Sequence, residues 1–313
     1  MTRKVLVTGG AGFIGSHLVR ALLERGDEVR VLDNYSTGNR GNLGGLRRDV
    51  EMIEGELRSY ERVYAAVRGV DLVFHQGALP SVPRSVQDPL TTSAVNVEGT
   101  LNVLLASRDE KVKRVIFASS SSVYGSAGDL PRRETQSPDP ISPYAVAKLA
   151  AERYCVSFSR VYDLETVVLR YFNVFGPHQD PRSQYAAVVP RFVTAVHRGE
   201  AVPIYGDGEQ LRDFTYVDNV VEANLLAAEA AEASGAVLNI ATGDATSVNE
   251  LADSIGRAVG TPVRKEHLAP RPGDVRDSWA DIGAARRLLG YEPRVRLVEG
   301  LRRAAEALLE RGG

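Results

Sequence analysis

The chain has 313 residues, of which 43% are hydrophobic and 25% charged, and its formal net charge is -2 from 38 basic and 40 acidic side chains. This composition excludes a disordered chain and provides no field that would attract nucleic acid or an anionic membrane. Cys155 is the only cysteine, so an intrachain disulfide and a multi-cysteine zinc site are excluded, and we expect no metal. No run of about 18 apolar residues predicts a membrane span. The start, Met1–Lys4, lacks a signal-peptide pattern, so we expect a cytoplasmic protein without nucleic-acid or membrane partners.

The first half of the chain alternates short apolar runs with helical patterns. Strands joined by helices pair in parallel through right-handed crossovers, so this alternation predicts an α/β fold with a doubly wound parallel sheet. The predicted strands are Lys4–Thr8, Glu28–Asp33, Glu51–Glu54, Asp71–His75, Arg114–Ala118 and Thr166–Arg170. The predicted helices are Phe13–Arg25, Ala94–Ser107 and Tyr144–Phe158.

The second half changes character after the polar loop Gly176–Ala186. Ser247 and Glu250 have the spacing of a capping box, which predicts the start of a helix. We find no repeat and no flexible linker, so the two halves are expected to pack closely, with the chain crossing between them more than once. The predicted elements are the helices Pro190–Arg198, Val217–Ala231, Ser247–Val259 and Leu297–Glu310, the strand Val237–Ile240 and the turn-rich connection Tyr205–Arg212.

A glycine motif follows the first predicted strand and opens the first predicted helix. Gly9, Gly12 and Gly15 form a G-x-x-G-x-x-G pattern, in which glycine lets the backbone approach a pyrophosphate and lets the helix pack on the sheet. Unpaired N–H groups at the start of a helix bind phosphate. Asp33 lies 24 residues after Gly9, in position to accept hydrogen bonds from an adenosine ribose. Because a carboxylate repels a 2′-phosphate, the sequence predicts a Rossmann-type domain that binds NAD rather than NADP.

Tyr144 and Lys148 are four residues apart, so they share one face of a predicted helix. A free tyrosine has a pKa of about 10. A lysine ammonium and the positive nicotinamide ring both favour the phenolate, which can then act as a general base near neutral pH. Ser120 lies at the carboxyl end of a predicted strand, where ligands bind in open α/β sheets, and its hydroxyl can relay or hold the proton.

These motifs together resemble the extended short-chain dehydrogenases/reductases. The resemblance rests on Gly9–Gly15 within TGGAGFIG, the serine run before Val123–Gly125, and the pair Tyr144 and Lys148. Three later segments extend it over almost the whole chain and are similar to the nucleotide-sugar branch, and within it to the UDP-hexose 4-epimerases. They are Arg170–Asn173, Gly206–Phe214 and Arg271–Asp274.

The resemblance implies roles for individual residues. Ser120, Tyr144 and Lys148 are implied to be catalytic, and Lys148 also to bind the nicotinamide ribose. The implied NAD-binding residues are Gly9, Gly12, Phe13, Ile14, Gly15, Asp33, Asn34, Glu56, Leu57, Gln76, Ala78, Asn96, Tyr144 and Lys148. The implied residues for the UDP-sugar are Ser81, Arg84, Ser121, Ser122, Asn173, Gln179, Ala187, Val188, Tyr205, Arg212, Arg271, Asp274 and Ser278.

The resemblance also implies an organisation of the chain. Residues 1–170, with 215–243 returning to them, are expected to form the NAD-binding Rossmann domain. Residues 171–214 and 244–313 are expected to form a smaller α/β domain that binds the UDP-sugar. The helices Ala94–Ser107 and Tyr144–Phe158 carry apolar positions on more than one face, so we expect a homodimer with C₂ symmetry through them.

By resemblance, members of this branch first oxidise C4 of the sugar and differ in the next step. The 4,6-dehydratases carry an Asp-Glu pair directly before the Val-Tyr-Gly motif, and the C6 decarboxylases carry a glutamate there. This chain has Ser121 and Ser122 at those positions, so no acid assists a leaving group. The 4-keto intermediate can then only be reduced again, and reduction on the opposite face gives the C4 epimer. The predicted activity is NAD-dependent C4 epimerisation of a UDP-hexose, with NAD retained.

The predicted sugars are UDP-GlcNAc/UDP-GalNAc and/or UDP-Glc/UDP-Gal. Ser278 falls where glucose-only bacterial relatives carry a bulky tyrosine beside the sugar 2-substituent, so an acetamido group would fit. Ser121 and Gln179 could hydrogen-bond that group. Pro80 departs from the pattern, because the relatives that use acetylated sugars often have glycine there.

Other functions remain open at this stage. A UDP-glucuronate 4-epimerase is one alternative: its usual arginine is replaced here by Asp180, although Arg84 or Arg182 could substitute for it. Another dehydratase or reductase of the same family is a second alternative. A non-catalytic NAD(H) sensor is disfavoured, because such proteins typically lose the tyrosine–lysine pair that this chain keeps.

Overall fold

The computed structural model describes residues 2–126, 128–179, 187–270 and 275–310. Strands and helices are numbered here in chain order. The strands are β1 (Lys4–Thr8), β2 (Glu28–Asp33), β3 (Val50–Glu54), β4 (Leu72–His75), β5 (Arg114–Ser120), β6 (Glu165–Tyr171), β7 (Val174–Phe175), β8 (Val202–Tyr205), β9 (Leu211–Arg212), β10 (Thr215–Tyr216), β11 (Val237–Ile240), β12 (Thr246–Ser247) and β13 (Lys265–Leu268).

The helices have the following bounds. They are α1 (Phe13–Glu24), α2 (Tyr60–Val67), α3 (Val82–Gln87), α4 (Pro89–Ser93), α5 (Gly99–Asp109), α6 (Pro143–Val161), α7 (Val188–His197), α8 (Val217–Glu229), α9 (Val248–Val259), α10 (Gly283–Leu289) and α11 (Leu297–Glu310). Short 3₁₀ segments cover Arg40–Leu46, Ser121–Tyr124 and Ala231–Ala233, and a π-helical turn covers Ala94–Glu98.

Seven strands form the main sheet in the order β11-β6-β5-β4-β1-β2-β3, and every neighbouring pair is parallel. The predicted doubly wound parallel sheet is therefore confirmed. The strand order reverses between β1 and β4, and crevices for ligands form at the carboxyl ends of strands at such a switch point.

Helices cover both faces of the sheet. Successive side chains of a strand point to opposite faces, so each strand contributes to the core on both sides. In β1, Val5 and Val7 belong to one core cluster and Leu6 to the other. The first cluster includes Leu18 and Leu22 of α1 together with α8, and the second includes residues of α2, α5 and α6 such as Phe158. The sheet is thus buried on both sides, which explains its near-continuous apolar strands.

The helix predicted over Ala94–Ser107 begins earlier in the structure than the sequence pattern indicates. Asp88 caps α4, its carboxylate accepting a hydrogen bond from the Thr91 N–H, and Pro89 occupies the first turn. The helix therefore begins before Ala94, and the π-helical turn leads into α5. The capping box predicted at Ser247 and Glu250 is present, and α9 begins directly after it.

The second half of the chain adds three two-stranded sheets beside the main one, pairing β7 with β10, β9 with β12, and β8 with β13. Helices α7, α9 and α11 pack against one another in this part. Two elements of the second half return to the main sheet. Helix α8 packs against α1, and β11 pairs with β6 at the edge of the sheet. Among the described residues, no helix is long and apolar enough to cross a membrane.

Candidate active site

A cavity opens at the carboxyl ends of the sheet strands, where the strand order reverses. Ala118 and Ser119 of β5 and Tyr171 of β6 line it at one end, and Leu32 of β2 lines it at the other. Every residue that the sequence analysis named for the cofactor lines this cavity except Asn96: Gly9, Gly12, Phe13, Ile14, Gly15, Asp33, Asn34, Glu56, Leu57, Gln76, Ala78, Tyr144 and Lys148.

The glycine loop after β1 has room for backbone and none for side chains. Gly9 has φ +67°, and a Cβ there would lie 2.7 Å from the Gly77 Cα. A Cβ on Gly15 would lie 2.1 Å from the Gly9 carbonyl oxygen, so any side chain would displace the loop. Helix α1 begins after Gly12 without a side-chain cap, which leaves its first N–H groups directed at the cavity edge. This cradle fits a pyrophosphate.

Asp33 is held rigidly at the end of β2. One carboxylate oxygen accepts a hydrogen bond from the Ala11 N–H at 2.9 Å, and the other accepts one from the Tyr35 N–H at 2.8 Å. Each oxygen keeps a further lone pair for a ligand hydroxyl. Asn34, Ser36 and Thr37 line the cavity beside it, so this end fits an adenosine ribose.

Asn96 lies behind the wall of the cavity. Its side chain is 2% exposed; it accepts a hydrogen bond from the Leu79 N–H at 2.8 Å and donates one to the Leu79 carbonyl at 3.1 Å. The amide therefore fixes the segment that carries Leu79, and Leu79 lines the cavity together with the neighbouring Val95. Asn96 is thus the one predicted cofactor residue that does not line the cavity.

Three side chains near the nicotinamide end form a closed hydrogen-bonded ring. Tyr171 donates to the Gln76 carbonyl oxygen at 3.2 Å, Gln76 donates to the Asn224 amide oxygen at 3.0 Å, and Asn224 donates to the Tyr171 hydroxyl at 2.8 Å. Burial raises the pKa of Tyr171 to about 12, so its phenol stays protonated. Sequence reasoning missed Tyr171 and Asn224; the position of Tyr171 at a strand end was the available signal.

The serine, tyrosine and lysine predicted to be catalytic come together beside the cavity. Ser142 caps α6 by accepting from the Ala145 N–H, and the Tyr144 N–H donates to the Ser85 hydroxyl at 3.0 Å. The Lys148 ammonium donates to the Ala118 carbonyl at 2.8 Å, which ties α6 to the end of β5. Tyr144 and Lys148 thus point into the cavity from one helix face, as the spacing predicts.

The titration of these groups is set by burial. Burial raises the pKa of Tyr144, and the Ser120 hydroxyl acts in the opposite direction by stabilising the phenolate. Burial lowers the pKa of Lys148 to about 8. Burial, followed by the nearby Lys148 charge, lowers the pKa of His75 to about 3, so that imidazole is neutral around pH 7.

A buried ion pair supports the same helix from behind. Arg170 of β6 donates to the Glu152 carboxylate, and the two side chains are 2% and 0% exposed. The Ser119 hydroxyl also donates to Glu152, at 3.1 Å. The pair joins α6 to the neighbouring strands β5 and β6 one turn beyond Lys148.

The residues predicted for the UDP-sugar that the structure describes lie on segments of the second half, at α3 and in the turn after β5, and none of them is among the residues that line the cavity. Asn173 adopts φ +30° after β6, and its amide donates to the Asp213 carbonyl at 3.1 Å. The Gln179 amide donates to the Val174 carbonyl and accepts from the Gly176 N–H.

Arg212 and Ser278 are adjacent through a β-bridge. The Arg212 guanidinium donates to the carbonyl oxygens of Val275 and Arg276, directly after the segment Arg271–Asp274. Arg271 and Asp274 themselves, like Asp180 and Arg182, lie outside the described residues.

The other predicted sugar residues occupy turns and helix starts. Ser81 caps α3, its hydroxyl accepting from the Arg84 N–H. Ser121 and Ser122 open the 3₁₀ turn after β5, Ala187 precedes α7, Val188 begins it, and Tyr205 ends β8.

Asp213 connects the segments of this side and was missed by sequence reasoning. Its buried carboxylate accepts hydrogen bonds from the Thr242 N–H at 2.8 Å, the Thr242 hydroxyl at 2.6 Å and the Gly243 N–H at 2.9 Å. Its own N–H donates to the Ser278 carbonyl at 3.1 Å. Asp213 therefore holds together the segments that carry Arg212, Ser278 and β11. A sequence signal existed only in its place directly after Arg212.

Comparisons with known proteins agree with this geometry. Residues 5–241 match the model of the NAD-dependent epimerase/dehydratase family. A UDP-glucose 4-epimerase of Mycolicibacterium smegmatis is 39% identical over 312 residues, which cover 97% of each chain. Among solved structures, a Thermotoga maritima UDP-glucose 4-epimerase with UDP-glucose is 42% identical, with a TM-score of 0.94, covering 99% of this chain and 100% of that one. A Methanobrevibacter ruminantium UDP-N-acetylglucosamine 4-epimerase in complex with UDP-N-acetylmuramic acid is 39% identical, with a TM-score of 0.94, covering 99% of each chain.

Proposed function

The chain belongs to the NAD-dependent epimerase/dehydratase family, and on that premise we propose that it interconverts the C4 epimers of a UDP-hexose through a 4-keto sugar. The proposed substrates are UDP-GlcNAc/UDP-GalNAc and/or UDP-Glc/UDP-Gal. The cofactor is NAD, and the glycine cradle and Asp33 fit its pyrophosphate and adenosine ribose.

The side chains at the nicotinamide end supply the proton chemistry. Tyr144 accepts the proton of the sugar O4 hydroxyl, and Lys148 favours the phenolate by its charge. Ser120 stabilises the same phenolate from the end of β5. NAD, held by the glycine loop and Asp33, would supply the hydride chemistry at C4 of the sugar. The 4-keto sugar rotates in the site so that its opposite face is presented. Tyr144 then returns its proton to O4.

The observation that carries this proposal is the placement of carboxylates around the cavity. Among the described residues that line it, the carboxylates are Asp33 and Glu56, at the ends of β2 and β3. At the catalytic end, Ser121 and Ser122 occupy the turn after β5, and the nearby Glu152 is committed to Arg170. No described carboxyl group at the catalytic end can therefore protonate a leaving hydroxyl, which favours return of the hydride over dehydration.

The size of the group at C2 of the sugar is proposed to depend on Ser278. It lies beside Arg212 in the β-bridge, and its N–H donates to the Leu211 carbonyl at 3.0 Å. A serine there leaves space that a larger side chain would fill. Arg84, an arginine on α3, is the reason to include a UDP-uronate in the test.

The test is a parallel assay of the interconversion of UDP-Glc/UDP-Gal, UDP-GlcNAc/UDP-GalNAc and UDP-GlcA/UDP-GalA by the NAD-loaded protein. We expect turnover of at least one of the first two pairs. Tyr144→Phe should lower that turnover by about 10²–10⁴-fold while NAD still copurifies, because it removes only the proton acceptor. Exclusive turnover of the uronate pair, or accumulation of a dehydrated product, would contradict the proposal.

The assembly and location are also proposed. Val146 and Tyr154 of α6 are 52% and 40% exposed, and Val86 and Leu90 are exposed on α3 and α4, which pack against α6. A second copy of the chain would cover this apolar surface, so we propose a homodimer, located in the cytoplasm. A monomeric mass by light scattering at micromolar concentration would contradict the dimer.

We further propose that the molecule divides into two domains. Residues 1–170 with 215–243 form the NAD-binding part, and residues 171–214 with 244–313 form the sugar-binding part. The return of α8 to α1 and the addition of β11 to the main sheet support this division. Limited proteolysis in the presence and absence of a UDP-sugar would test it through the connections near these boundaries.

A further inference from the structure

The first turn of α6 contains a backbone N–H that its own segment does not satisfy. The first N–H groups of a helix have no acceptor within the helix. Pro143, the first residue of α6, has no N–H, and the Ala145 N–H donates to the Ser142 hydroxyl at 3.2 Å. From Val146 onward the regular helical pattern holds, since its N–H donates to the Ser142 carbonyl at 2.9 Å. Among the first three residues of α6, Tyr144 is the one whose N–H needs an acceptor from another part of the chain.

Ser85 of α3, 59 residues earlier in the chain, supplies that acceptor. The Tyr144 N–H donates to the Ser85 hydroxyl oxygen at 3.0 Å, and the Ser85 hydroxyl donates to the Val82 carbonyl oxygen at 2.7 Å. A backbone N–H can only donate and a carbonyl oxygen can only accept, so the groups themselves fix the direction of both hydrogen bonds. Ser85 is completely buried, so bulk water cannot replace its hydroxyl as the acceptor.

Helix α3 is joined directly to the wall of the cavity. The residues just before it, from Gly77 to Pro80, line that cavity. Ser81 follows them and caps α3, and the Ser85 N–H donates to the Ser81 carbonyl at 3.1 Å. Ser85 therefore lies one helical turn from the cavity wall, on the helix that also carries Arg84, which the sequence predicts for the UDP-sugar.

Two hydrogen bonds from different parts of the molecule thus fix the turn of α6 that carries Tyr144 and Lys148. The Lys148 ammonium donates to the Ala118 carbonyl at 2.8 Å, which ties the helix to the main sheet. The Tyr144 N–H ties the same turn to α3 through Ser85. The rate of a reaction falls steeply when a reacting group is misplaced, so a tyrosine that exchanges a proton with a bound sugar needs a fixed backbone.

We propose that Ser85 is a positioning residue for Tyr144: its buried hydroxyl holds the Tyr144 backbone against α3 and so sets the place of the phenol oxygen in the cavity. Ser85 takes no part in the proton transfer, because its own hydrogen is bound to the Val82 carbonyl. The effect on catalysis rests on the proposed function, whereas the hydrogen bond from Tyr144 to Ser85 does not.

The experiment compares Ser85→Ala with Ser142→Ala in NAD-loaded protein. Each variant removes one hydroxyl acceptor from the start of α6, but the first leaves the Tyr144 N–H without its acceptor and the second the Ala145 N–H. We expect Ser85→Ala to lower kcat by about 10–100-fold, because a misplacement of about 1 Å can lower a rate by about 100-fold. KM for the UDP-sugar and the NAD content should change little. Ser142→Ala should lower Tm by a similar amount, since it also removes a cap, but kcat much less. An equal loss of kcat in both variants would show that Ser85 is only a cap of the helix and would overturn the proposal.

Two further substitutions separate the hydrogen bond from packing. Ser85→Thr keeps the hydroxyl and should retain most of kcat, whereas Ser85→Val has almost the same shape without an acceptor and should lose as much as Ser85→Ala. Because both add similar bulk at a buried position, the ratio of their kcat values isolates the hydrogen bond, and equal values overturn the proposal. This pair carries the test if the alanine variant does not fold. Ser159→Ala removes a hydroxyl that is bound to the Val156 carbonyl at the far end of α6, and it should leave kcat unchanged.

A second readout needs no sugar. Hydrogen exchange at the Tyr144 N–H, followed by mass spectrometry of short peptides, reports the bond to Ser85 directly. We expect faster exchange in Ser85→Ala and Ser85→Val than in the wild type and Ser85→Thr. Unchanged exchange in the alanine and valine variants overturns the proposal. Faster exchange in a protein whose wild type turns over no UDP-sugar would overturn the proposed function and leave the positioning of Tyr144 by Ser85 standing.

Discussion

The glycine loop and the segments around Asp213 are held in place by different kinds of interaction. The glycine loop is continuous with β1 and α1, and its distant hydrogen bonds reach residues such as Asp33 and Asn42, which lie 22 and 31 positions from Ala11. The Asp213 side joins residues that are 29 to 64 apart in the chain: Asp213 holds Thr242, and Arg212 holds Arg276. The first region depends on local backbone geometry, and the second on a buried carboxylate that gathers distant segments.

This difference predicts separable failures. A change in the glycine loop should affect the cofactor first, because the backbone itself forms the cradle. A change at Asp213 should affect the sugar side first, because its hydrogen bonds join Thr242, Gly243 and Ser278 rather than parts of the glycine loop. The variants below test that separation.

The largest effect is expected for Gly15→Ala. Its Cβ would lie 2.1 Å from the Gly9 carbonyl oxygen and 2.9 Å from the Gly10 Cα, so the loop must move. We expect NAD affinity to fall by about 1000-fold, or about 4 kcal/mol, and NAD no longer to copurify. Gly45→Ala is the control, since no atom lies within 4 Å of its added Cβ. Normal NAD content in Gly15→Ala would show that the loop tolerates a side chain.

Asp213→Ala tests the opposite side of the comparison. Removing the carboxylate leaves the N–H groups of Thr242 and Gly243 without their acceptor, at about 1–3 kcal/mol each. We expect the free energy of unfolding in urea to fall by about 3 kcal/mol and KM for the UDP-sugar to rise, with NAD still bound. Asp244→Ala removes an exposed partner of Arg296 and should change stability by less than about 1 kcal/mol. Loss of NAD in Asp213→Ala, with KM unchanged, would break the comparison.

Lys148→Met tests how much the buried Lys148 ammonium lowers the free energy of unfolding. Burial lowers the folded-state pKa of Lys148 to about 8 from 10.5, so folding favours the neutral amine. The stability that comes from burying a neutral amine is therefore fully present above pH 10.5. It is lost as the pH falls through 8, because a charged ammonium is then buried. In protein stripped of NAD, Lys148→Met should raise the free energy of unfolding by about 3 kcal/mol at pH 7 and progressively less between pH 8 and 10.5.

The control for that measurement is Lys113→Met, at an exposed lysine, which should change the free energy of unfolding by no more than about 0.5 kcal/mol. A loss of stability in Lys148→Met at pH 7 would mean that the bond to the Ala118 carbonyl outweighs the burial of the charge.

The smallest effect is expected for Ser278→Tyr. If Ser278 lies beside C2 of the sugar, the ring should exclude an acetamido group while a hydroxyl still fits. We expect the ratio of kcat/KM for UDP-GlcNAc to that for UDP-Glc to fall by about tenfold, since that ratio measures discrimination. Proportional loss of both activities would place Ser278 away from C2.

The same local-versus-distant difference governed which features could be read from the sequence. Alternating apolar runs predicted the parallel sheet, and the glycine pattern predicted the loop, because strand period and left-handed backbone are properties of consecutive residues. Tyr144 and Lys148 were found for the same reason, since a spacing of four puts two residues on one helix face.

Only the tertiary structure decided the features that join distant residues. It placed Asn96 behind the cavity wall, against Leu79, and it revealed the ring of Gln76, Tyr171 and Asn224. It also gave Asp213 its partners. Hydrogen bonds of this kind satisfy buried polar groups wherever packing happens to bring them, and a one-dimensional pattern carries no record of which side chain will arrive there. The chain's local chemistry thus determined what the site is made of, and long-range packing determined how its parts are held.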